Sequence, residues 1–225
     1  MRKSFKLGRE INLLTAYPNS SRSFEERASS ITIKDRLLAR RFDKEYFDGN
    51  RNQGYGGYNY HPRFWQGVVR DIQKFYKLNS KSKVLDVGAS KGFMLHDLKE
   101  AVPGISVHGV DISKYAILNA MPDIKPDLSL ANAKKLPFAD NSFDLVISLN
   151  TIHNLPLEDC FQALKEIERV SIKDKYIVVD AWNSEEQRQK MSKWVITGLT
   201  CLSVSDWKKL FKMAYFTGDF YWFMV

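Results

Sequence analysis

"DVGASKGF", residues 86–93, lies between the apolar run "KVLDV" and the amphipathic run "FMLHDLKE". It joins a strand to a helix through a turn of small residues. Gly88 and Gly92 permit backbone angles that other residues resist, while Ala89 and Ser90 keep Cβ bulk low. A turn of this kind aims free N–H groups and the positive end of a helix at whatever sits above it. A ligand in contact with the main chain is therefore expected here. Glycine is weak evidence by itself, because many tight turns need it for geometry alone.

Around this turn, residues 83–180 alternate short β-rich runs with helical ones. "KVLDV", "SVHGV", "LSLANA", "FDLVISL" and "YIVVD" read as strands; "KGFMLHDLKEA", "SKYAILNAM" and "EDCFQALKEIERV" read as helices. Strands apolar on both faces predict an α/β fold: a doubly wound, mostly parallel sheet covered by helices on each side. Right-handed crossovers bring the C-terminal ends of such strands to one edge, where ligands bind. Asp111 ends the second strand, 25 positions after Asp86. There a carboxylate can accept both hydroxyl hydrogens of a ribose, or it can simply cap the helix beginning near Ser113.

The bulk numbers bound the rest. A chain of 225 residues, 44% hydrophobic, can bury one sizeable core, and 13% aromatic residues suit a lined pocket as well. Neither a run of eighteen apolar residues nor a secretory signal is found, so no membrane association and a cytoplasmic location are expected. Cys160 and Cys201 belong to no CxxC or Cys/His cluster, which predicts reduced thiols and no metal site. The net charge of +8 resides in residues 1–80, with 16 Lys+Arg against 8 Asp+Glu; residues 81–225 hold 18 of each. Interspersed charges of this kind read as solvated helix faces rather than a nucleic-acid surface.

Residues 1–80 read as an N-terminal helical extension with a Gly/Tyr-rich lid. "SFEE" at 23–26 is a capping box, with Ser23 as N-cap and Glu26 reaching back. The loop "FDGNRNQGYGGYNYHP" at 47–62 carries Tyr55, Tyr58 and Tyr60. Pro62 then opens a helix with the stripe Trp65, Val68, Val69, Ile72, Phe75 and Tyr76. Within 81–225, residues 183–200 read as a cap segment, with Met191, Trp194, Val195 and Leu199 at helical spacing. Ser203 or Ser205 caps "SVSDWKKLFKMA", and "YFTGDFYWFMV" reads as a hairpin about a Gly-Asp turn.

In order and spacing, "VLDVGASKGFMLHDL", "VHGVDIS", "ANAKKLPFADNSFDLVISLNTIHNL" and "ALKEIERV" resemble the successive motifs of class I S-adenosylmethionine-dependent methyltransferases. The likeness covers roughly residues 80–180 and falls closest to the broad group acting on small molecules. It implies a Rossmann-like sheet with a C-terminal antiparallel hairpin and S-adenosyl-L-methionine as cofactor, with S-adenosyl-L-homocysteine as product. By resemblance, Asp86, Gly88, Ala89, Ser90 and Gly92 line the methionine portion of the donor. Asp111 holds the ribose, Ile112 packs on the adenine, Asn132 and Ala133 meet its amino group, and Leu149 and Asn150 approach the methyl. In related enzymes a Tyr upstream of the first strand touches the donor, which singles out Tyr55 and Tyr58. The pattern departs in two places: Ser90 replaces the middle glycine, and "SIKDKY" replaces a Gly-Gly in what should be a surface loop.

A sulfonium methyl is already activated, so alignment of the acceptor supplies most of the catalysis, roughly 7–11 kcal/mol. A base matters only for a protonated acceptor. His153, just past the fourth strand, is the expected base, with Tyr58 as a second catalytic candidate. The function expected is methyl transfer to O or N of a small metabolite, with a homodimer left open. The alternatives are a nucleic-acid methyltransferase using the basic extension, and a non-catalytic donor-binding protein. Against the first, "SLNTIHNL" lacks the Asn/Asp-Pro-Pro-aromatic motif of base-amine methylation.

Overall fold

The runs read as strands pair into one seven-stranded sheet, in a computed structural model that describes residues 6–18, 24–56 and 59–225. The strands are β1 (Lys83–Val87), β2 (Ser106–Asp111), β3 (Leu128–Leu130), β4 (Phe143–Leu149), β5 (Ser171–Trp182), β6 (Leu202–Ser203) and β7 (Asp219–Phe223). Their order is β3-β2-β1-β4-β5, and β7 and β6 both pair with β5, at 176–180 and 181–182. The chain winds one way from β1 to β3 and the other from β4 to β5. The switch point between β1 and β4 thus lies beside the 86–93 turn, where such sheets bind ligands.

Nine helices lie among the described residues: α1 (Phe24–Ser30), α2 (Ile33–Ala39), α3 (Lys44–Asp48), α4 (Pro62–Tyr76), α5 (Phe93–Ala101), α6 (Lys114–Leu118), α7 (Leu157–Val170), α8 (Glu185–Trp194) and α9 (Val204–Met213). Alternate strand residues bury on opposite faces. Val84, Leu145 and Val178 meet Val68, Val69 and Ile72 of α4 and Leu95 and Leu98 of α5. Leu85, Val146 and Ile177 meet Leu164 and Ile167 of α7 and Trp207 and Phe211 of α9. Each such fully buried side chain stabilises by about 1.5–3 kcal/mol. None of the described helices is long and apolar enough to cross a membrane.

The sheet is mostly parallel, as the alternation implies, but two details differ from expectation. The closing antiparallel hairpin does not form: β7 runs parallel to β5 from Tyr176↔Asp219 to Asp180↔Phe223. The ten residues of α9 carry the chain back across the sheet before β7 begins, and a strand entered after such a crossover runs parallel. Of the two aromatic runs only Asp219–Phe223 is a strand; Phe216 is buried in the turn before it and Tyr215 stays exposed. Nor is "SIKDKY" a surface loop, since α7 ends at Val170 and β5 begins at Ser171.

The caps follow local chemistry. Ser203, rather than Ser205, caps α9 by accepting from the Asp206 N–H at 3.1 Å. Pro62 occupies the first turn of α4, with His61 as N-cap. The capping box placed on Ser23 lies outside the described residues, as does Tyr58.

Candidate active site

The backbone of the 86–93 turn is shaped first by protein neighbours. Gly88 has φ +91°, and a Cβ there would overlap the Thr151 side chain; Gly92 has φ +78°, and its Cβ would sit 2.6 Å from Ile124 Cγ2. Packing accounts for both glycines, so the ligand must be recognised from other groups. Ser90, in place of the middle glycine, takes φ +54° and directs its N–H to Asp111 Oδ2 at 2.8 Å. A non-glycine residue in that region costs about 1–2 kcal/mol, which explains a glycine at this position in the motif it resembles.

Two carboxylates carry the ligand signal. Asp86 is buried beneath the turn, and among the described residues no group donates to it. Burial, then the charge of Asp111, pushes its carboxyl up to about 8. A buried carboxylate without a donor suits a cationic group brought by a ligand. Asp111 accepts from Ser113 N–H through Oδ1 and from Ser90 N–H through Oδ2, both at 2.8 Å. Burial raises its pKa against those bonds. Each oxygen keeps a lone pair, which leaves two acceptors for a diol. Ser113, not Asp111, caps α6. Beside Asp111, Ile112 and Leu130 are both more than half exposed at the ends of β2 and β3, an apolar shelf for a flat ring. Asn132 Oδ1 accepts from Lys134 N–H at 3.1 Å, next to a half-buried Ala133.

The loop from 131 to 142 is held by α7. Glu166 Oε2 accepts from Leu136 N–H at 2.7 Å, and Arg169 donates to the Leu136 and Phe138 carbonyls while pairing with Glu166. This clamp is what "LPFADNSFD" and "ALKEIERV" build together.

Across the switch point, Leu149 and Asn150 end β4, and His153 follows in a 3₁₀ turn. His153 is buried against Asp180 at the end of β5. Its Nδ1 accepts from the Asp180 N–H at 3.2 Å, which assigns the ring hydrogen to Nε2, 3.3 Å from Asp180 Oδ2. Burial lowers the His153 pKa and raises that of Asp180, and each charge opposes the other's shift.

Helices α1 and α2 pack against α8, and α3 packs against Lys91 and Tyr115. The C-terminal end of α8 receives Arg36 Nη2 at the Ser192 and Lys193 carbonyls, 3.2 and 2.9 Å. Phe24 stacks on Trp194, and Arg27 lies over the rings of Trp194 and Tyr55. Tyr55 accepts from Ile196 N–H at 2.8 Å, and α3 is tied down by Asp48 to Lys91 Nζ at 2.6 Å and to Tyr115 at 2.8 Å. Tyr46 packs edge-on against Phe47 and Tyr55, and its phenol is held up by burial and by the charges of Tyr55, Asp111 and Asp180. Tyr60 turns away and donates to Asp97 at 2.6 Å.

Sequence reasoning thus brings Asp86, Asp111, Ile112, Asn132, Leu149, Tyr55 and His153 to one edge, but misses Asp180 and Tyr46. A signal for Asp180 existed: "KVLDV", "VHGVD" and "YIVVD" each place an aspartate near the C-terminal end of a buried strand. Tyr46 carried none, being one tyrosine among ten.

This architecture is a Rossmann-like fold that solved methyltransferases share. Residues 85–179 match the family model described as a methyltransferase domain. An uncharacterized protein of Haemophilus influenzae is 30% identical over 146 residues, 60% of this chain and 58% of that protein. The mitochondrial arginine-hydroxylase NDUFAF5 of Mus musculus is 32% identical over 103 residues, 45% of the chain and 28% of that protein. A tRNA (carboxymethyluridine(34)-5-O)-methyltransferase of Arabidopsis thaliana is 28% identical over 145 residues, 64% and 33% of the two. The chain therefore spans under two thirds of each relative. The YcgJ protein of Bacillus subtilis shares the fold, with a TM-score of 0.54 at 21% identity over 65% of this chain and 66% of that one.

Proposed function

We propose that the chain is an S-adenosylmethionine-dependent methyltransferase that passes a methyl group to an O or N atom of a small metabolite. The observation that carries this reading is the pair of strand-end carboxylates, Asp86 with no donor among the described residues and Asp111 with two acceptors open. S-adenosylmethionine supplies an activated methyl on a cationic sulfur. Asp86 suits its positive methionine end, Asp111 its ribose, and Ile112 and Leu130 its adenine, with Asn132 and Ala133 at the ring's polar edge. Residues before 80 and the 183–200 segment form a lid that orders the acceptor and excludes water, with Tyr55 fixing one to the other.

Calorimetric titration with S-adenosylmethionine and S-adenosylhomocysteine tests the donor. Saturable binding is expected, weakened roughly 10–100-fold by Asp111→Ala, the loss of hydrogen bonds to a charged acceptor. No heat with either compound would sink the reading. Release of S-adenosylhomocysteine on adding acceptor separates methyl transfer from the hydroxylation named for the mouse relative. An RNA acceptor is the second reading, favoured by the basic extension and the tRNA-modifying relative. Steeply salt-dependent RNA binding would support it.

A further inference from the structure

We propose, resting on the methyltransferase reading, that the acceptor is a small amine, held as its ammonium by Asp180, which takes its proton while His153 serves as a positioning residue. The geometry rules the imidazole out of the proton step. Both of its nitrogens face Asp180, Nδ1 at the backbone N–H and Nε2 at Oδ2, 3.2 and 3.3 Å away. Gly198 closes over the pair: a Cβ there would lie 3.4 Å from His153 Cδ2 and 3.7 Å from Asp180 Oδ2. The backbone of this aspartate is fixed as well, since its carbonyl accepts from Trp207 Nε1 at 2.9 Å and its strand pairs with β7. Among the described residues none donates a hydrogen bond to Oδ1, and this is the oxygen assigned to the substrate.

The surroundings select the sign of that substrate. Among the described residues, Asp180 is in contact with the neutral His153 from the turn after β4, and its charge also reaches Tyr46, Tyr55 and Cys201 of the segment after α8. Two phenols, a thiol and a neutral imidazole leave the carboxylate charge without a cation among these groups. A buried carboxylate is favourable only beside positive charge or several donors. An ammonium supplies the positive charge, while the Tyr55 ring is already taken by the Arg27 guanidinium, 5.0 Å from its centroid. An acidic acceptor would be repelled.

The proton step balances simply. One N–H bond of the ammonium breaks, its electron pair stays on nitrogen as the lone pair, and the proton passes to Asp180 Oδ1 and then to solvent. His153 keeps its Nε2 hydrogen throughout. Burial, which holds Asp180 above the usual carboxylate range, brings it nearer the pKa that a general base needs.

The test uses the full chain saturated with S-adenosylhomocysteine. Binding is measured calorimetrically for three matched pairs: ethanolamine and ethylene glycol, putrescine and 1,4-butanediol, phenethylamine and phenethyl alcohol. At least one amine should bind ten-fold or more tightly than its alcohol. Asp180→Asn should erase that preference while changing S-adenosylhomocysteine affinity less than three-fold. His153→Leu removes the polar ring nitrogen 3.3 Å from Oδ2, so the pH below which amine binding is lost should rise by about one unit; His153→Gln, which keeps a polar N–H, should restore it. Should Asp180→Asn fail to fold, the wild-type profile decides, because the preference must vanish as Asp180 protonates. Binding of S-adenosylhomocysteine without any amine preference, or a preference that survives Asp180→Asn, overturns the proposal. Failure of the wild-type chain to bind S-adenosylhomocysteine instead removes the methyltransferase reading on which it rests.

Discussion

Asp86 shows how a single residue joins stability to ligand binding. Its carboxyl titrates at about 8 in the folded chain because it is buried and lies near Asp111, against about 3.9 when exposed. Between those values the unfolded chain has lost the proton and the folded chain has kept it. The folded state is thus most favoured below about pH 4 and loses that advantage as pH rises towards 8. Asp86→Asn should therefore raise the thermal midpoint of the ligand-free protein at pH 7.5 by roughly 2–6 °C, read by calorimetry. The same variant should weaken S-adenosylmethionine binding at least ten-fold. The wild type should release a proton on binding, seen as a heat that differs between phosphate and Tris. A variant that loses stability and keeps donor affinity would show Asp86 to be structural. At this scale the sequence reports identity and spacing, which find Asp86 and Asp111. It does not report which neighbour touches a glycine, and so Thr151 and Ile124 stay hidden.

Elements are legible where one period dominates. The stripe of α4 and the apolar runs of β1, β4 and β5 are set by local patterning, and the structure reproduces them. The direction of β7 is not local: it depends on α9 carrying the chain back over the sheet, and "DFYWF" reads the same either way. The packing of α1 and α2 on α8, proposed above as a lid, is equally non-local, since these contacts join residues more than 150 positions apart. Its closure depends on few bonds, so Tyr55→Phe, which removes the acceptor for Ile196 N–H, should loosen it. The expected result is faster proteolysis within 50–56 and about three- to ten-fold weaker donor binding, for a loss of about 1 kcal/mol. Unchanged cleavage would mean that stacking alone holds the lid. The α7 clamp is firmer: Glu166 sits well below the usual carboxylate range because Arg169 pairs with it against the burial that would raise it. Glu166→Gln should release the loop bearing Asn132, seen as faster amide exchange over 132–140 with β4 unaffected.

For the whole molecule, the N-terminal strap and the charge imbalance are one subject. Residues 9–11 bond to Phe220 along the outer edge of β7, with Ile11 N–H donating to its carbonyl at 2.9 Å and its N–H donating to Arg9 O at 3.0 Å. An uncovered edge of this kind invites pairing with another chain. Leu13 N–H and the Ile11 carbonyl are both held by the Tyr176 hydroxyl, which reaches out from the sheet core. Arg9 then grips Asp219 through its backbone N–H, Nε and Nη2, at 2.7, 3.1 and 2.7 Å, and Tyr76 adds a fourth bond at 3.0 Å. Three basic residues of the first third therefore have internal duties: Arg9 at β7, Arg27 between two rings, and Arg36 at the end of α8. Asp219 records the strength of the grip, because burial would raise its pKa but Arg9 and Tyr76 lower it instead. A depressed carboxylate stabilises above its unfolded value of about 3.9, and that contribution is lost as pH falls through its lower folded value. Arg9→Ala should accordingly lower the thermal midpoint by roughly 2–4 °C at pH 7, and the gap from wild type should close towards pH 2. With the edge uncovered, the variant should also self-associate with rising concentration in sedimentation velocity. A gap that persists at pH 2 would assign the contribution of Arg9 to its packing over the Phe75 ring, 4.4 Å away, rather than to the ion pair.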